Sequence, residues 1–286
     1  MMGSENSKII STEDMVQAFS KERIPHEPQG WQKEFRNALR SALSELKPME
    51  NLCLTASYCG TETGSYDLEN ILFYNIGSAS FRQIATYRLF AENRFHQGTK
   101  TINEESEFSH KYAYKICNAV NLADFWESHT LAAEWEVLSI PASFSNNKAV
   151  DYWQALRGNP GKVHSYHKIP DSPFGVKIKL SVPKTKTLNL VSVIKPMLDG
   201  VICAFHSADK RLQEESSLIA SHIGVPEQQI LCDSNDILGT CRFIYPYRDS
   251  VKWNPQDNRC FAFEIAVEHN DDEDCCFSGH IYEFSY

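Results

Sequence analysis

Two acidic side chains in the first half of the chain have a spacing that suits a metal ion. Asp67 and Glu69 stand two residues apart in Asp67-Leu68-Glu69-Asn70, directly before the apolar run Ile71 to Tyr74, which is predicted to be a strand. Residues two apart on a strand share a face, and Mg²⁺ prefers such carboxylate oxygens as ligands. The pair is therefore a candidate for ligating one ion. The alternative is that both acids are solvated residues at the entry to the strand.

The most basic part of the sequence lies between Lys162 and Lys186, where six lysines face one acid, Asp171. Apolar residues alternate with Lys177 and Lys179, so the pattern predicts a strand that presents both lysines on one face. Lysines neutralise phosphates, and this stretch therefore predicts salt-dependent binding of DNA or RNA. The alternative is a solvated loop and strand face. The candidate nucleic-acid-binding residues are Lys162, His164, His167, Lys168, Lys177, Lys179, Lys184 and Lys186.

A segment of the second half resembles the RusA-like Holliday-junction resolvases. It runs from Thr187 to Gly200, ends in Lys195-Pro196-Met197-Leu198-Asp199-Gly200, and is followed by Asp233 and Asp236. In that family a D-x-D-N motif precedes the lysine, and later aspartates complete a magnesium site for phosphodiester cleavage. The resemblance implies catalytic roles for Lys195 and Asp199. It also implies that Asp233 and Asp236 belong to a magnesium site.

Each half of the chain matches a different part of that family motif. Counting back from Lys195, the two acids of the family fall on Asn189 and Val191, and its asparagine falls on Ser192. The first half has the D-x-E-N form, but Phe73 stands at the lysine position. One hypothesis is that acids from both halves meet Lys195 across the fold. The proposed metal ligands are then Asp67, Glu69, Asp233 and Asp236. The alternative is that the helix around Lys195 only packs against the core, with Asp199 solvated.

Composition restricts the class of protein. The chain has 286 residues, 42% of them hydrophobic and 23% charged, as in an ordinary soluble globular protein. No apolar run approaches the roughly 20 residues of a membrane-spanning helix, so no membrane partner is expected. Nine scattered cysteines without a C-x-x-C pair, and a polar start, predict a cytoplasmic location. A Walker loop, a dinucleotide fingerprint, G-x-S-x-G and H-E-x-x-H are absent, which excludes several enzyme classes.

The acidic end of the chain offers a different function. The net charge is −9, and the segment from Cys260 to Tyr286 has seven acids and neither lysine nor arginine. Strands over 261–268 and 277–284 are predicted to pair as a hairpin whose acidic loop could dock a basic protein partner. The amphipathic helix predicted from Trp31 to Leu46 offers a second contact surface. Together these features describe a non-catalytic protein-interaction module.

Hydrophobic periodicity predicts an α+β fold with a mixed or antiparallel sheet packed by helices. The segment 81–110 fits either period and is left open, and no internal repeat at a fixed period is present. Helices are predicted over 31–46, 150–157, 187–206 and 211–223, and strands over 52–58, 71–74, 111–119, 135–140, 176–182, 230–232, 241–245, 261–268 and 277–284.

Capping residues and glycines predict where elements begin and end. Ser11-Thr12-Glu13-Asp14 has the form of a capping box, Thr187 is a candidate N-cap, and Gly158 and Gly224 are candidate C-terminal caps. The turn cluster at 158–161 predicts a boundary between two subdomains, 1–157 and 162–286.

Three functions follow from these patterns. The first is a cytoplasmic nucleic-acid-associated protein whose resolvase-like second half contacts phosphates through the lysine-rich strand. The second is a Mg²⁺-dependent structure-selective endonuclease, and the third is the interaction module.

Overall fold

The computed structural model describes residues 2–47, 52–60, 67–94, 107–118, 122–141, 148–233, 235–271 and 273–285. Within these ranges the chain has an α+β fold, in which helices pack on a mixed sheet. The strands are β1 Met2–Ser4, β2 Ser7–Ser11, β3 Met15–Ser20, β4 Cys53–Gly60, β5 Arg88–Asn93, β6 His110–Cys117, β7 Thr130–Ile140, β8 Val163–Ser165, β9 Phe174–Pro183, β10 Ser207–Ala208, β11 Thr240–Cys241, β12 Ile244–Tyr247, β13 Ser250–Trp253, β14 Cys260–Asn270 and β15 Cys275–Glu283.

The helical elements connect these strands. The α-helices are α1 Gly30–Ser44, α2 Leu122–Glu127, α3 Ala149–Arg157, α4 Leu190–Ala204, α5 Lys210–Ile223 and α6 Glu227–Leu231. Shorter elements are a π-helical segment, Asn70–Tyr74, and 3₁₀ turns at Ser78–Phe81, Pro160–Lys162 and Asp257–Arg259.

The main sheet has the strand order β1-β2-β3-β6-β4-β5-β14-β9-β15-β7-β8 among the described residues. Neighbouring strands are antiparallel except for β4 with β5 and β9 with β14, which are parallel. A parallel pair needs a crossover connection, and helical elements supply it here. The π-helical segment lies between β4 and β5, and α4 lies between β9 and β14.

Both crossover elements pack on the same buried face. Val176, Ile178 and Leu180 of β9 alternate with Lys177 and Lys179, as the sequence predicts, and the apolar residues join the core. The core also takes in the apolar positions of α1 and α4 and Ile71 to Phe73 of the π-helical segment. The opposite face of the sheet carries α2, where Trp126 packs in a second, smaller apolar cluster.

Long periodic segments match their predictions. The predicted helices over 31–46, 150–157 and 211–223 correspond to α1, α3 and α5, and α5 ends at Gly224 with φ of 72°. The predicted strands over 52–58, 111–119, 135–140 and 176–182 correspond to β4, β6, β7 and β9. In the open segment 81–110, the turn that ends at Phe81 is followed by β5, and His110 begins β6, while 95–106 lie outside the described residues.

Several short elements were wrongly predicted. Ser11 to Asp14 forms the turn between β2 and β3, where the Thr12 hydroxyl donates to Asp14 within the turn, and it opens no helix. The run Ile71 to Tyr74 belongs to the π-helical segment, and a short buried apolar run carries no period that separates a strand from a helix. Likewise, the predicted strand over 230–232 does not form, because residues 230 and 231 are the last two of α6 and Cys232 follows the helix.

Other corrections concern the ends of elements. Helix α4 begins after Asn189, so Thr187 does not cap it. Gly158 ends α3 with φ of −79°, outside the left-handed conformation that was predicted.

The predicted C-terminal hairpin does not form. Strands β14 and β15 are both present, but β9 lies between them, parallel to β14 and antiparallel to β15. The acidic loop therefore passes over the end of β9 and is not a hairpin tip.

Pairing within the sheet crosses the predicted subdomain boundary. β5 pairs with β14 and β7 pairs with β15, so strands from 1–157 and 162–286 are interleaved in one sheet. The segment 158–161 is a short connection between α3 and β8.

Two further observations concern the whole described chain. All nine cysteines are free thiols. No helix among the described residues is both long enough and apolar enough to span a membrane.

The packing of α3 on α4 gives the first prediction. A Cβ atom at Gly200 of α4 would lie 2.9 Å from Cβ of Tyr152 and overlap the carbonyl oxygen of Ala149. Because such overpacking forces the two helices apart, we expect Gly200→Ala to lower the free energy of unfolding by about 1–3 kcal/mol in urea titrations. The matched control is Gly161→Ala, where nothing lies within 4 Å of the added atom. Equal losses in both variants would contradict this packing.

Candidate metal centre

A single ammonium group lies among four carboxylates. Nζ of Lys195 is 3.0 Å from Oε1 of Glu69, 3.3 Å from Oδ1 of Asp199, 3.6 Å from Oδ2 of Asp257 and 3.9 Å from Oδ2 of Asp67. The four acids come from three separate segments of the chain. We call Asp67, Glu69, Asp199 and Asp257 the acidic cluster.

Asp67 and Glu69 are held at the start of a short helical segment. They lie just before the π-helical residues Asn70–Tyr74, and Leu68 between them is buried. The side-chain amide of Asn70 donates to Oδ2 of Asp67 at 2.5 Å, which fixes that carboxylate. Single-turn π-helical segments occur often at functional sites. The two acids share a site as predicted, but a helical start and not a strand positions them.

Lys195 and Asp199 are one turn apart on α4. Most of this helix is apolar and buried, so its few polar side chains are confined to one edge. The backbone N–H of Lys195 donates to the hydroxyl of Tyr74 at 3.4 Å. This contact ties α4 to the π-helical segment and sets the lysine beside Glu69.

Asp257 completes the acidic cluster from the 3₁₀ turn that precedes β14. The turn is anchored by Arg259, whose guanidinium donates to the carbonyl oxygen of Leu238 at 2.7 Å and to carbonyl oxygens of Ile169 and Pro170. Sequence reasoning missed Asp257, because nothing in Trp253-Asn254-Pro255-Gln256-Asp257 separates a buried acid from a solvated turn residue.

Three of the acids have the arrangement of an oxygen-ligand set. Ligand oxygens of Asp67, Glu69 and Asp257 all lie within 4.8 Å of one another. Mg²⁺ binds carboxylate oxygens at about 2.1 Å, so small side-chain movements would let these oxygens surround one ion. In the described part of the chain, Lys195 is the one cation within 4.0 Å of the acidic cluster. Four carboxylates exceed its charge, so the residues fit a further cation.

Burial raises the free energy needed to ionise three carboxyl groups of the acidic cluster. Burial raises the pKa of Glu69, against the effect of Lys195, and it raises the pKa of Asp199 to about 6. The pKa of Asp257 is raised further, first by burial, then by Glu69 and by a hydrogen bond with Asp67. Burial alone would lower the pKa of Lys195, but Glu69, Asp199 and Asp257 together raise it. The lysine is therefore charged at neutral pH, while Asp257 retains a proton that a metal ion would displace.

A cleft of about 700 Å³ opens beside the acidic cluster. Lys195 and Asp199 form part of its wall, while Asp67, Glu69 and Asp257 lie behind these two residues and do not line it. The wall also presents a cation, an imidazole and an indole, contributed by Lys148, His222 and Trp253. A polyanion in the cleft would therefore meet positive and aromatic groups next to the acids.

The structure brings together Asp67, Glu69, Lys195 and Asp199 but leaves Asp233 and Asp236 out. Oδ2 of Asp236 pairs with Nζ of Lys168 at 2.7 Å, and Asp233 is exposed in the loop after α6. Their assignment as metal ligands is therefore corrected. Helices α5 and α6 separate this loop from α4, and the backbone of Cys232 is bound by Arg157 on α3. Asp257 takes the place that was predicted for them.

The predicted lysine surface lies away from the acidic cluster. Lys177 and Lys179 point to the face of the sheet opposite to α4, because their apolar neighbours on β9 face α4. Seven of the eight predicted side chains have partners within the protein. Six of these pairs are Lys162 with the carbonyl of Val137, His164 with Glu136, His167 with Glu283, Lys168 with Asp236, Lys179 with Glu268, and Lys184 with Asp271. Lys186 also has a partner. Phosphate binding by these residues stays a prediction, but they do not line the candidate centre.

The two surfaces of the interaction-module hypothesis also differ from expectation. Phe35, Leu39 and Leu43 of α1 are buried in the core, so the apolar stripe of this helix packs on the sheet and is not a free contact surface. Asp271 in the acidic loop pairs with Lys184 at 2.7 Å.

The raised pKa of Asp257 gives the second prediction. A carboxyl whose folded-state pKa lies above its unfolded value costs stability once the pH exceeds the unfolded pKa of about 3.9. We therefore expect Asp257→Asn, in metal-free buffer, to raise the free energy of unfolding by roughly 1–3 kcal/mol at pH 7. The gain should shrink as the pH falls to 4, where the carboxyl is neutral in the folded state and about half protonated in the unfolded chain.

Urea unfolding at pH 7 and pH 4 measures this difference. Asp249→Asn is the control, since Asp249 is exposed. A destabilised Asp257→Asn protein at pH 7, or an equal effect at both pH values, would contradict the charge balance described for the acidic cluster.

Comparisons with known proteins found no match, so the function is inferred from the geometry of the centre. No family model matches the chain, and neither a curated protein nor a solved structure matches it.

Proposed function

We propose that this protein is a divalent-metal-dependent endonuclease that hydrolyses phosphodiester bonds in DNA. The observation that carries the proposal is the convergence of four carboxylates from three segments on Lys195, at the wall of a cleft. The resemblance of Lys195 to Gly200 to the RusA-like resolvases points to the same chemistry and to branched DNA as substrate.

Each residue of the centre has a role in this proposal. Asp67, Glu69 and Asp257 would hold the ion, which would act as a Lewis acid and lower the pKa of bound water. Asn70 orients Asp67 through its 2.5 Å hydrogen bond. The ammonium group of Lys195 neutralises the charge that develops on the phosphate oxygens in the transition state.

Asp199 has the properties of a proton acceptor. Its pKa of about 6 leaves it largely ionised at pH 7.5, and it borders the cleft. In hydrolysis, the oxygen of water forms a bond to phosphorus, the bond from phosphorus to the leaving oxygen breaks, and the proton of water passes to Asp199. The leaving oxygen takes up a proton from solvent, so the atoms balance.

The cleft supports the choice of a nucleic acid substrate. Lys148 and Lys195 can neutralise backbone phosphates, while Trp253 offers a ring on which an unpaired base can stack. Unpaired bases are found at branch points and single-stranded ends. We also propose a cytoplasmic location, which nine free thiols favour.

Binding of DNA or RNA without cleavage is the second candidate, through the lysines of β9 and the loop before it. Its support is the exposure of Lys179, whose surface ion pair with Glu268 is worth little and can exchange for a phosphate. A basic protein partner at the acidic loop is the remaining alternative.

The third prediction separates these functions. With Mg²⁺ and a panel of labelled four-way, flapped and linear DNA, we expect wild-type protein to cut the branched substrates. Asp199→Asn should lower the rate constant by at least about 100-fold, because the proton acceptor is lost. Asp233→Asn, which removes an acid outside the centre, should cut at the wild-type rate.

The controls make the outcome decisive. Circular dichroism and urea unfolding confirm that both variants fold. Binding that weakens with salt but is never followed by cleavage would contradict the nuclease and favour the second candidate. Neither binding nor cleavage would favour the interaction module, and equal loss in both variants would contradict the residue roles.

A further inference from the structure

The eight central strands form two four-stranded halves with the same plan. In one half the order is β3-β6-β4-β5, and in the other it is β7-β15-β9-β14. The pairs in each are antiparallel, antiparallel and parallel, in that sequence. The halves meet where β5 pairs with β14, and this pair is antiparallel, as two-fold symmetry requires.

The order of elements along the chain repeats as well. The first half runs β3, α1, β4, the π-helical segment, β5 and β6, and the second runs β7, α3, β8, β9, α4, β14 and β15. Strand β8 pairs with β7 outside the four-stranded half. The second crossover also holds α5, α6 and β10 to β13. This insertion explains why the sequence shows no repeat at a fixed period although the architecture repeats.

Register fixes which residues are equivalent. The β5–β14 pairs centre on Phe90 with Glu264, so the two-fold relation places Arg88 at the position of Ala262. Their parallel partners, Cys53 on β4 and Gly175 on β9, are then equivalent.

This alignment continues into the two crossover segments. Asp67 follows Cys53 by 14 residues (67 − 53), and Asn189 follows Gly175 by 14 (189 − 175). Asp67-Leu68-Glu69-Asn70 therefore occupies the place of Asn189-Leu190-Val191-Ser192, and the intervening leucine is buried in both.

The equivalence shows that the charged centre exists once. The places of Lys195 and Asp199 are taken in the first half by Phe73 and Gly77, since both follow the motif at the same spacing. Phe73 and Val191 are fully buried, and the amide of Asn189 donates to the carbonyl of Ser78 at 3.1 Å. One junction of the crossover helices thus holds the acidic cluster. At the equivalent junction the matching positions are uncharged, and the guanidinium of Arg40 lies beside Gly77.

We propose that the chain is a fused pair of resolvase-like halves that keeps one of two equivalent catalytic centres and therefore breaks a single DNA strand at each encounter. This inference rests on the proposed function. Asp67 and Glu69 come from the first half, and Lys195, Asp199 and Asp257 come from the second, so neither half holds a centre alone. One water is consumed and one phosphodiester bond is hydrolysed, with the proton passing to Asp199 as above.

The fourth prediction concerns the number of metal sites. Calorimetric titration with Mn²⁺ should give one ion per chain for wild-type protein and none for Glu69→Gln. Asn70→Ala should raise the Kd for Mn²⁺ about tenfold, because Asp67 loses its orienting hydrogen bond. Ser192→Ala removes the equivalent residue at the junction that lacks the acidic cluster and should leave the Kd within about twofold.

Cleavage products test the number of strands broken. The substrate is a supercoiled plasmid with an inverted repeat extruded as a cruciform, in molar excess over monomeric protein. We expect nicked circles to accumulate before any linear product. Linear DNA as the first product would overturn the inference and leave the proposed function standing.

The metal titration separates the remaining outcomes. If cleavage persists, any of three results would overturn the single centre. These are two Mn²⁺ ions bound per chain, one ion still bound by Glu69→Gln, or equal weakening of Mn²⁺ binding by Asn70→Ala and Ser192→Ala. Absence of both Mn²⁺ binding and cleavage in wild-type protein would overturn the proposed function, and the inference with it.

Discussion

The arrangement of the molecule depends on one half-buried ammonium group, that of Lys195. Removing charges from water is costly, so a lysine in this position needs carboxylates, and carboxylates buried with it need the lysine. This mutual requirement joins three segments that share no sequence neighbourhood: the start of the π-helical segment, one edge of α4 and the turn before β14. Four acids around one cation leave negative charge that a proton on Asp257 relieves in part. The same excess of charge is the basis on which we propose a divalent ion at the centre.

Local pattern predicted much of the fold, because long elements carry a readable period. The strand β9 and the helices α1 and α5 agree with their predictions, since alternation or helical spacing continues for several residues. The run Ile71 to Phe73 was mistaken for a strand because every residue in it is buried. The neighbours of β14 and β15 depend on pairing across the chain, and no local pattern states that β9 lies between them.

The residues of the candidate site were likewise predicted only in part. Asp67, Glu69, Lys195 and Asp199 were chosen for residue type and spacing, and the hypothesis that the two halves meet at the lysine agrees with the geometry. No sequence motif pointed to Asp257. Asp233 and Asp236 matched the family motif, but they lie outside the acidic cluster. Contact between distant segments is set by the sheet order, and the family resemblance spans too short a stretch to specify it. The sheet order also places the two partial motifs next to each other. The first half supplies the pair of acids that the second half lacks, and the second half supplies the lysine that the first half lacks.

Strand β14 has a consequence for how the protein is made. It is the one described strand that links β5 to β9, and so the first half of the sheet to the second. It follows β5, β7 and β9 in the sequence, and β15 comes after it. On the ribosome, the facing edges of β5 and β9 are therefore synthesised before the strand that pairs with both of them, and they stay unpaired until β14 leaves the exit tunnel. A premature stop codon shortly before Cys260 would remove β14 and β15, and with them the links of β5 to β9 and of β9 to β7.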